Sequence, residues 1–198
     1  MLNHLSQCGL ISLEHDPVYL KVSRTVLLRS QLGEDLGWEL GLDNKFEGSV
    51  LDLLIKRYGL KLYEAFNAVP AEVLGFPVSL PRDSEMLKEW MAPHAPKLKE
   101  VVLSTRNALA SYLKKLDLSS GPNPMMLDLG YAGTIQKILT QLLDRDTAGL
   151  YFIATDASDK KIGKNTASMA GVFKENVKWQ EGYILLERSL LLESLMTA

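Results

Sequence analysis

The stretch that most constrains the fold is residues 125–143, which read MMLDLGYAGTIQKILTQLL. An apolar run ends at Asp128, a turn with two glycines follows, and apolar residues at helical spacing begin at Thr134. This pattern predicts a β-strand, a tight turn and an α-helix. Because the turn places the N-terminus of the helix beyond the end of the strand, backbone N–H groups and the positive end of the helix dipole can face an anionic ligand.

The neighbouring segments extend this unit into an α/β fold. Residues 149–155 (GLYFIAT) predict a second strand, and a strand–helix–strand unit of this length implies a parallel crossover. A long helical pattern covers 97–116, and residues 119–124 (SSGPNP) form the clearest break in the chain. We therefore predict an α/β domain, with a helix-rich part in 1–120 and a small parallel sheet in 121–198, together forming one compact domain.

Other segments give weaker patterns. Apolar residues alternate over 17–23 and predict a short strand, whereas the four glycines of 32–48 favour a loop that Trp38 anchors to the core. Residues 49–58 have apolar positions at helical spacing, with Ser49 as a plausible N-cap and Gly59 just beyond the last turn, and they predict a helix. Residues 156–169 are polar and expected to be exposed, ahead of a short strand at 170–173, and the leucines that follow Tyr183 predict a closing helix.

Composition narrows the classes of partner. The net charge of −2 and the pI of about 6.0 give no basic field for nucleic acid, so no nucleic-acid partner is expected. The single cysteine, Cys8, excludes an internal disulfide and favours a cytoplasmic location. No apolar run reaches the roughly 18–20 residues that a membrane span requires. The three histidines are scattered without metal-ligand spacing, so no zinc site or other set of metal ligands is predicted.

The turn after Asp128 carries the chemistry that the sequence offers. Asp128 could act as a catalytic base, accept a sugar hydroxyl or hold Mg²⁺, and Thr134 could bind a phosphate beside Gly130 and Gly133. Further ligand contacts are predicted at Tyr131, Gln136, Ser23 and Arg24. Two other interpretations remain open: a purely structural glycine turn, and Ser23 as a helix cap beside a surface Arg24.

Known nucleotide loops do not match this turn. A Walker loop requires a lysine directly before the Ser or Thr, whereas Lys137 follows Thr134, and a dinucleotide fingerprint requires a third glycine. Asp128-Leu129-Gly130 also lacks the second carboxylate of a D-x-D phosphatase motif. The turn shares an acidic strand end and a Gly-Thr helix start with the diphosphate loop of phosphoribosyltransferases, but it lacks their acidic pair.

Four segments together carry a family resemblance: 18–24 (VYLKVSR), 127–136 (LDLGYAGTIQ), 149–152 (GLYF) and Leu192-Glu193. The most specific is D-[IL]-G-[WY]-x-G-T-[IM]-Q, which residues 128–136 match. These segments resemble the region that follows the hydrolase module in bacterial haloacid-dehalogenase-superfamily hydrolases, which are associated with glycosyltransferases of surface-polysaccharide synthesis. The resemblance implies a Rossmann-like domain within a larger cytoplasmic protein. The catalytic aspartates of the hydrolase would lie upstream, so phosphatase activity is not implied here.

The sequence thus leaves three hypotheses for function. The first is a domain of glycan biosynthesis that binds a nucleotide sugar, a sugar phosphate or another small anionic ligand at the 128–136 loop. Any reaction would be a hydrolysis or group transfer on such a substrate. The second is a noncatalytic accessory domain that docks on a hydrolase or glycosyltransferase module, and the third is a divergent phosphoribosyltransferase-like enzyme.

Overall fold

The computed structural model describes residues 7–8, 17–118 and 120–178. The elements of its N-terminal half are α1 (Arg24–Ser30), α2 (Asp35–Leu42), β1 (Phe46–Ser49), α3 (Val50–Lys56), α4 (Leu62–Ala68), α5 (Ala71–Leu74), β2 (Pro77–Leu80), α6 (Ser84–Met91), a 3₁₀ turn (Ala92–His94) and α7 (Ala95–Lys115). The second half contains β3 (Met125–Asp128), α8 (Thr134–Leu143), β4 (Thr147–Ala154), β5 (Asp159–Ile162) and β6 (Asn165–Glu175).

The strands in the described part of the chain form two sheets, and the α/β class is confirmed. β1 and β2 make a small antiparallel pair, whereas the second sheet has the order β3-β4-β6-β5. β3, β4 and β6 run parallel, and β5 is antiparallel to β6. The predicted strand–turn–helix–strand unit is therefore present as β3, α8 and β4. The finer Rossmann-like topology stays a prediction, because β5 and β6 form a hairpin where a second crossover would stand.

Helix α8 connects the sheet to the helical half. It contacts β4, β5 and β6 as well as α1 and α2. Its buried residues Ile138, Leu139 and Leu143 belong to the main hydrophobic core, which otherwise consists of residues from the N-terminal half, such as Leu27 and Leu98. The two parts that the sequence distinguishes thus share one core. Within the described residues, no helix combines the length and apolarity that crossing a membrane requires.

Local signals predicted the helices around α3 and α7 well. Ser49 is the N-cap of α3, where its hydroxyl accepts from the N–H of Asp52 at 3.0 Å and the Asp52 carboxylate accepts in return. Gly59 follows the helix with φ +64°, a backbone conformation that favours glycine. The long helix α7 covers the predicted 97–116 segment and begins at Ala95.

Two predictions in the first fifty residues are wrong. Residues 17–23 form no strand, because no neighbouring strand pairs with them; Leu20 and Val22 instead pack against the helical core. The expected loop in 32–48 contains α2, whose glycines permit close helix packing. A Cβ at Gly41 would lie 1.9 Å from Oη of the buried Tyr58. Trp38 is buried at 6% exposure, as predicted.

The segment after β4 also differs from the expectation. Residues 156–169 were expected to be polar and exposed, but they include β5, which pairs with β6 through a turn at Gly163 with φ +60°. The short strand predicted near Ala170 is part of the longer β6. The predicted closing helix after Tyr183 lies outside the described residues.

Candidate functional site

The candidate site is the turn between β3 and α8. One carboxylate oxygen of Asp128, Oδ1, accepts from the N–H of Gly130 at 2.9 Å. Gly133 is the N-cap of α8 with φ +64°, and a Cβ there would lie 2.5 Å from Sδ of Met169. The positive φ favours glycine at position 133, whereas the end of the flexible Met169 side chain could move to admit a Cβ.

The N-terminus of α8 begins with backbone N–H donors that the described residues leave unpaired. The backbone N–H groups of Thr134, Ile135 and Gln136 have no acceptor in the described part of the chain, and the first turn contains no acidic residue. Thr134 is 9% exposed and its hydroxyl has no hydrogen-bond partner there either. Among the described residues, the polar side-chain atom that is both fully enclosed and without a partner is Nη2 of Arg106. The Thr134 hydroxyl also lacks a partner there but is not fully enclosed, so solvent reaches it. Free N–H groups at a helix N-terminus attract an anion.

Lys137 on α8 interacts with a pair of charged side chains that follow β4. Lys137 lies in the first turn of α8 near Asp156, which follows the end of β4. The ammonium of Lys160, which contacts Asp156 at 2.6 Å, lowers the pKa of that carboxyl. A hydrogen bond from Ser158 and the charge of Lys137 act in the same direction. The sequence interpretation missed Asp156, Ser158 and Lys160, because a polar stretch does not indicate which of its side chains will contact one another in the fold.

Asp128 lies close to the phenol of Tyr151 beneath the turn. Burial raises the pKa of Tyr151 well above its ordinary value, and the negative charge of Asp128 adds to this shift. The phenol therefore stays protonated and donates to Oε1 of Gln136 at 2.8 Å. Asp128 is half-buried, and its Oδ2 accepts no hydrogen bond within the described residues, so this oxygen can face a ligand.

Gln136 has a structural role that the sequence interpretation did not give it. Its side chain is 0% exposed, and Nε2 donates to the carbonyl and hydroxyl of Thr147 and to the carbonyl of Ser168, at 3.0–3.2 Å. Because Oε1 accepts from the Tyr151 hydroxyl, both the nitrogen and the oxygen of the amide are hydrogen-bonded. The predicted ligand contact is not available, because the amide ties α8 to β4 and β6. The helical spacing of 136, 140 and 143 on one buried face was the signal for this role.

Tyr131 anchors the middle of the turn. Its ring packs against the cluster of Ile153 and Val177, and its carbonyl accepts both the N–H and the hydroxyl of Thr155, at 2.9 and 3.0 Å. These contacts hold the turn against the end of β4. The backbone position of Tyr131 therefore helps to place the N–H groups of α8.

Ser23 and Arg24 do not line this turn. The hydroxyl of Ser23 accepts from the N–H of Val26 at 3.2 Å as the N-cap of α1, so the helix-cap interpretation is the one that the structure shows. Arg24 lines a separate pocket whose residues include none from 125–136: Arg24, Thr25, Leu28, Phe46, Lys56 and Arg57. Arg24 and the turn after Asp128 therefore do not form one site.

Comparison of the chain with family models, with curated proteins and with solved structures gives no match.

Proposed function

We propose that the Asp128–Thr134 turn binds the phosphate group of a small anionic ligand, such as a nucleotide sugar or a sugar phosphate. The observation that carries the proposal is the open N-terminus of α8, where the first-turn N–H groups and the Thr134 hydroxyl have no partner within the described residues. This helix end follows directly on the carboxyl end of a parallel strand, where α/β proteins bind ligands. The resemblance to proteins of glycan synthesis supports a sugar-bearing ligand and a cytoplasmic location.

In this proposal each group has a distinct role. The N–H groups of α8 and the Thr134 hydroxyl hold the phosphate, and Lys137 adds positive charge on the same turn of helix. The free oxygen of Asp128 accepts a sugar hydroxyl, or acts as the catalytic base if the ligand is a substrate of hydrolysis or transfer.

Mg²⁺ fits the turn only as part of a complex with the ligand. The turn offers one carboxylate, that of Asp128, and no group of three His, Cys, Asp or Glu residues lies together in the described part of the chain. Mg²⁺ is commonly bound through one or two carboxylates together with substrate phosphates. Asp128 would supply the protein ligand in that case.

A second candidate function is an accessory domain that docks on a hydrolase or glycosyltransferase module. The observation in its favour is the exposure of large apolar side chains on the larger sheet. They lie on β3 and β6, namely Met125, Leu127, Val172 and Phe173, at 51–68% exposure. Exposed apolar residues of this kind are typical of a surface that contacts another protein. This second function does not use the N–H groups of α8, so the two functions are compatible.

Thermal-shift and calorimetric titrations test the first proposal. Uridine diphosphate glucose, glucose phosphate or inorganic phosphate is expected to raise the melting temperature of the protein, because a ligand that binds the folded state stabilises it. Thr134→Val and Asp128→Asn should keep the fold. Thr134→Val should raise the Kd about tenfold, since a hydrogen bond to a charged group is worth roughly 1.5–3 kcal/mol.

Thr166→Val is the matched control, because the Thr166 hydroxyl bonds to Lys161 in the β5–β6 hairpin, outside the turn. Its Kd should equal that of the unaltered protein. The proposal fails if none of the three compounds stabilises the protein at about 10 mM, where linkage makes a millimolar binder visible. It also fails if Thr134→Val binds as tightly as the control.

A further inference from the structure

A second pocket in the fold is lined by positively charged side chains. It is a pocket of about 320 Å³ between the start of α1, strand β1 and the end of α3. Three of the residues that line it are cationic and none is acidic: the lining consists of Arg24, Thr25, Leu28, Phe46, Lys56 and Arg57. A pocket with this composition favours an anion.

The positive charges in the pocket are poorly compensated. Arg24 is exposed and makes no ion pair or hydrogen bond within the described residues. Lys56 contacts Asp52 at 2.9 Å, but the two side chains are 64% and 42% exposed, so water and salt weaken this pair. Among the described residues, the Arg57 guanidinium donates to three backbone carbonyls and forms no ion pair with a carboxylate.

Arg57 forms a fixed wall of the pocket. Its Nη1 donates to the carbonyls of Gly41 and Asn44 at 2.6 and 3.0 Å, and its Nη2 donates to that of Lys45 at 3.2 Å. The guanidinium lies 5.3 Å from the centre of the Phe46 ring. Burial lowers the pKa of Arg57; the interaction with Tyr58 raises it, and the like charge of Arg24, a smaller effect, lowers it. An anion between the two guanidinium groups would relieve this repulsion.

The backbone also fixes the pocket. Gly59, which follows α3, lies so close to Thr25 that a Cβ at position 59 would be 2.7 Å from the methyl carbon of Thr25. The end of α3 is therefore packed directly against the first turn of α1. The pocket is formed by the fold and does not depend on a flexible loop closing over it.

We propose that this pocket binds the phosphate group of a small molecule, as a second anion site that is distinct from the Asp128–Thr134 turn. Arg24 and Lys56 contact the phosphate with side chains that have room to adjust, and the Thr25 hydroxyl can donate to it. Arg57 supplies a fixed charge behind them. The proposal rests on residues that the first site does not use, so the two can fail separately.

The test is a titration of backbone amide chemical shifts with inorganic phosphate and with glucose phosphate, in low-salt buffer because salt screens exposed charges. Both compounds should cause saturable shifts at residues 24, 25, 46, 56 and 57. Arg24→Gln and Lys56→Gln should each raise the Kd at this pocket about tenfold. Lys114→Gln, which makes the same change of net charge outside the pocket, should leave the Kd within about twofold.

Three results would overturn the proposal. The first is the absence of saturable shifts at the pocket up to about 20 mM phosphate, beyond the range of a millimolar site. The second is an equal loss of affinity in Lys114→Gln, which would indicate nonspecific charge. The third is the same shifts with unphosphorylated glucose. Thr134→Val should leave the Kd of this pocket unchanged, so a failure at the first site does not affect the result here.

Discussion

Replacing Arg29 by methionine is expected to lower the free energy of unfolding by about 3–5 kcal/mol, the usual cost of removing one partner of a buried ion pair. Arg29 on α1 contacts Glu64 on α4 through two hydrogen bonds of 2.7 and 3.0 Å, and the side chains are only 13% and 12% exposed. It also donates to the Thr105 hydroxyl and the Gly59 carbonyl. Methionine would leave an enclosed Glu64 carboxylate without its cation. Denaturant unfolding measures the difference.

The same variant should change the pH dependence of stability. The hydrogen bond from Arg29 is the largest cause that holds the pKa of Glu64 below its ordinary value of 4.5. Glu64 therefore stabilises the folded state above about pH 4.5, and this contribution is lost as the pH falls towards the lowered pKa. In Arg29→Met the pKa of Glu64 is no longer held down by that bond. The loss of stability between neutral pH and about pH 3.5 should then be smaller than in the unaltered protein.

Arg82→Met is the control for this prediction. Arg82 contacts Asp83 at 2.8 Å, but its side chain is 76% exposed, so water and salt weaken the pair and its loss should cost far less stability than the loss of Arg29. Equal losses of stability in Arg29→Met and Arg82→Met would contradict the assignment of the Arg29–Glu64 pair as a main tie between α1 and α4.

Local sequence signals were sufficient for elements whose causes lie within a few residues. The turn after Asp128 was predicted from two nearby glycines and from the change from an apolar run to apolar residues at helical spacing. Helix α3 was predicted in the same way from Ser49 at its start and Gly59 beyond its end. Residues 17–23 show the limit. Their alternation fits a strand, but a strand needs a partner, and whether one is present depends on the rest of the fold.

The candidate site shows the same division between local and distant causes. The position of Thr134 at the start of α8 follows from the sequence nearby. The separation of Arg24 from the turn does not, because it depends on how α1 packs against α3 and β1. Likewise, α2 forms despite Gly37 and Gly41, since Gly41 makes room for the distant Tyr58 ring and tertiary packing outweighs weak helix propensity.

Replacing Gln136 by methionine is expected to lower the free energy of unfolding by about 2–4 kcal/mol, because buried polar groups would lose their partners. Gln136 joins α8 to two strands, and methionine has a similar length without an amide. The Tyr151 hydroxyl would lose its acceptor, and the carbonyl of Ser168 would lose the donor that comes from α8. The Thr147 hydroxyl, which is buried 2.7 Å from the Thr140 hydroxyl, would also lose its hydrogen bond from Gln136. Denaturant unfolding, with fluorescence of the tryptophans, measures the loss.

Thr134→Val on the same helix separates stability from ligand binding. The Thr134 hydroxyl has no partner among the described residues, so its removal should change the free energy of unfolding by less than about 1 kcal/mol while it weakens phosphate binding. Gln136→Met should show the reverse: reduced stability, with an unchanged Kd for phosphate under conditions where the variant is fully folded. Normal stability with lost binding in Gln136→Met would instead make Gln136 a ligand contact. In that case the side chain would have to leave its bonds to Thr147, Tyr151 and Ser168, and α8 would have to turn when the ligand binds.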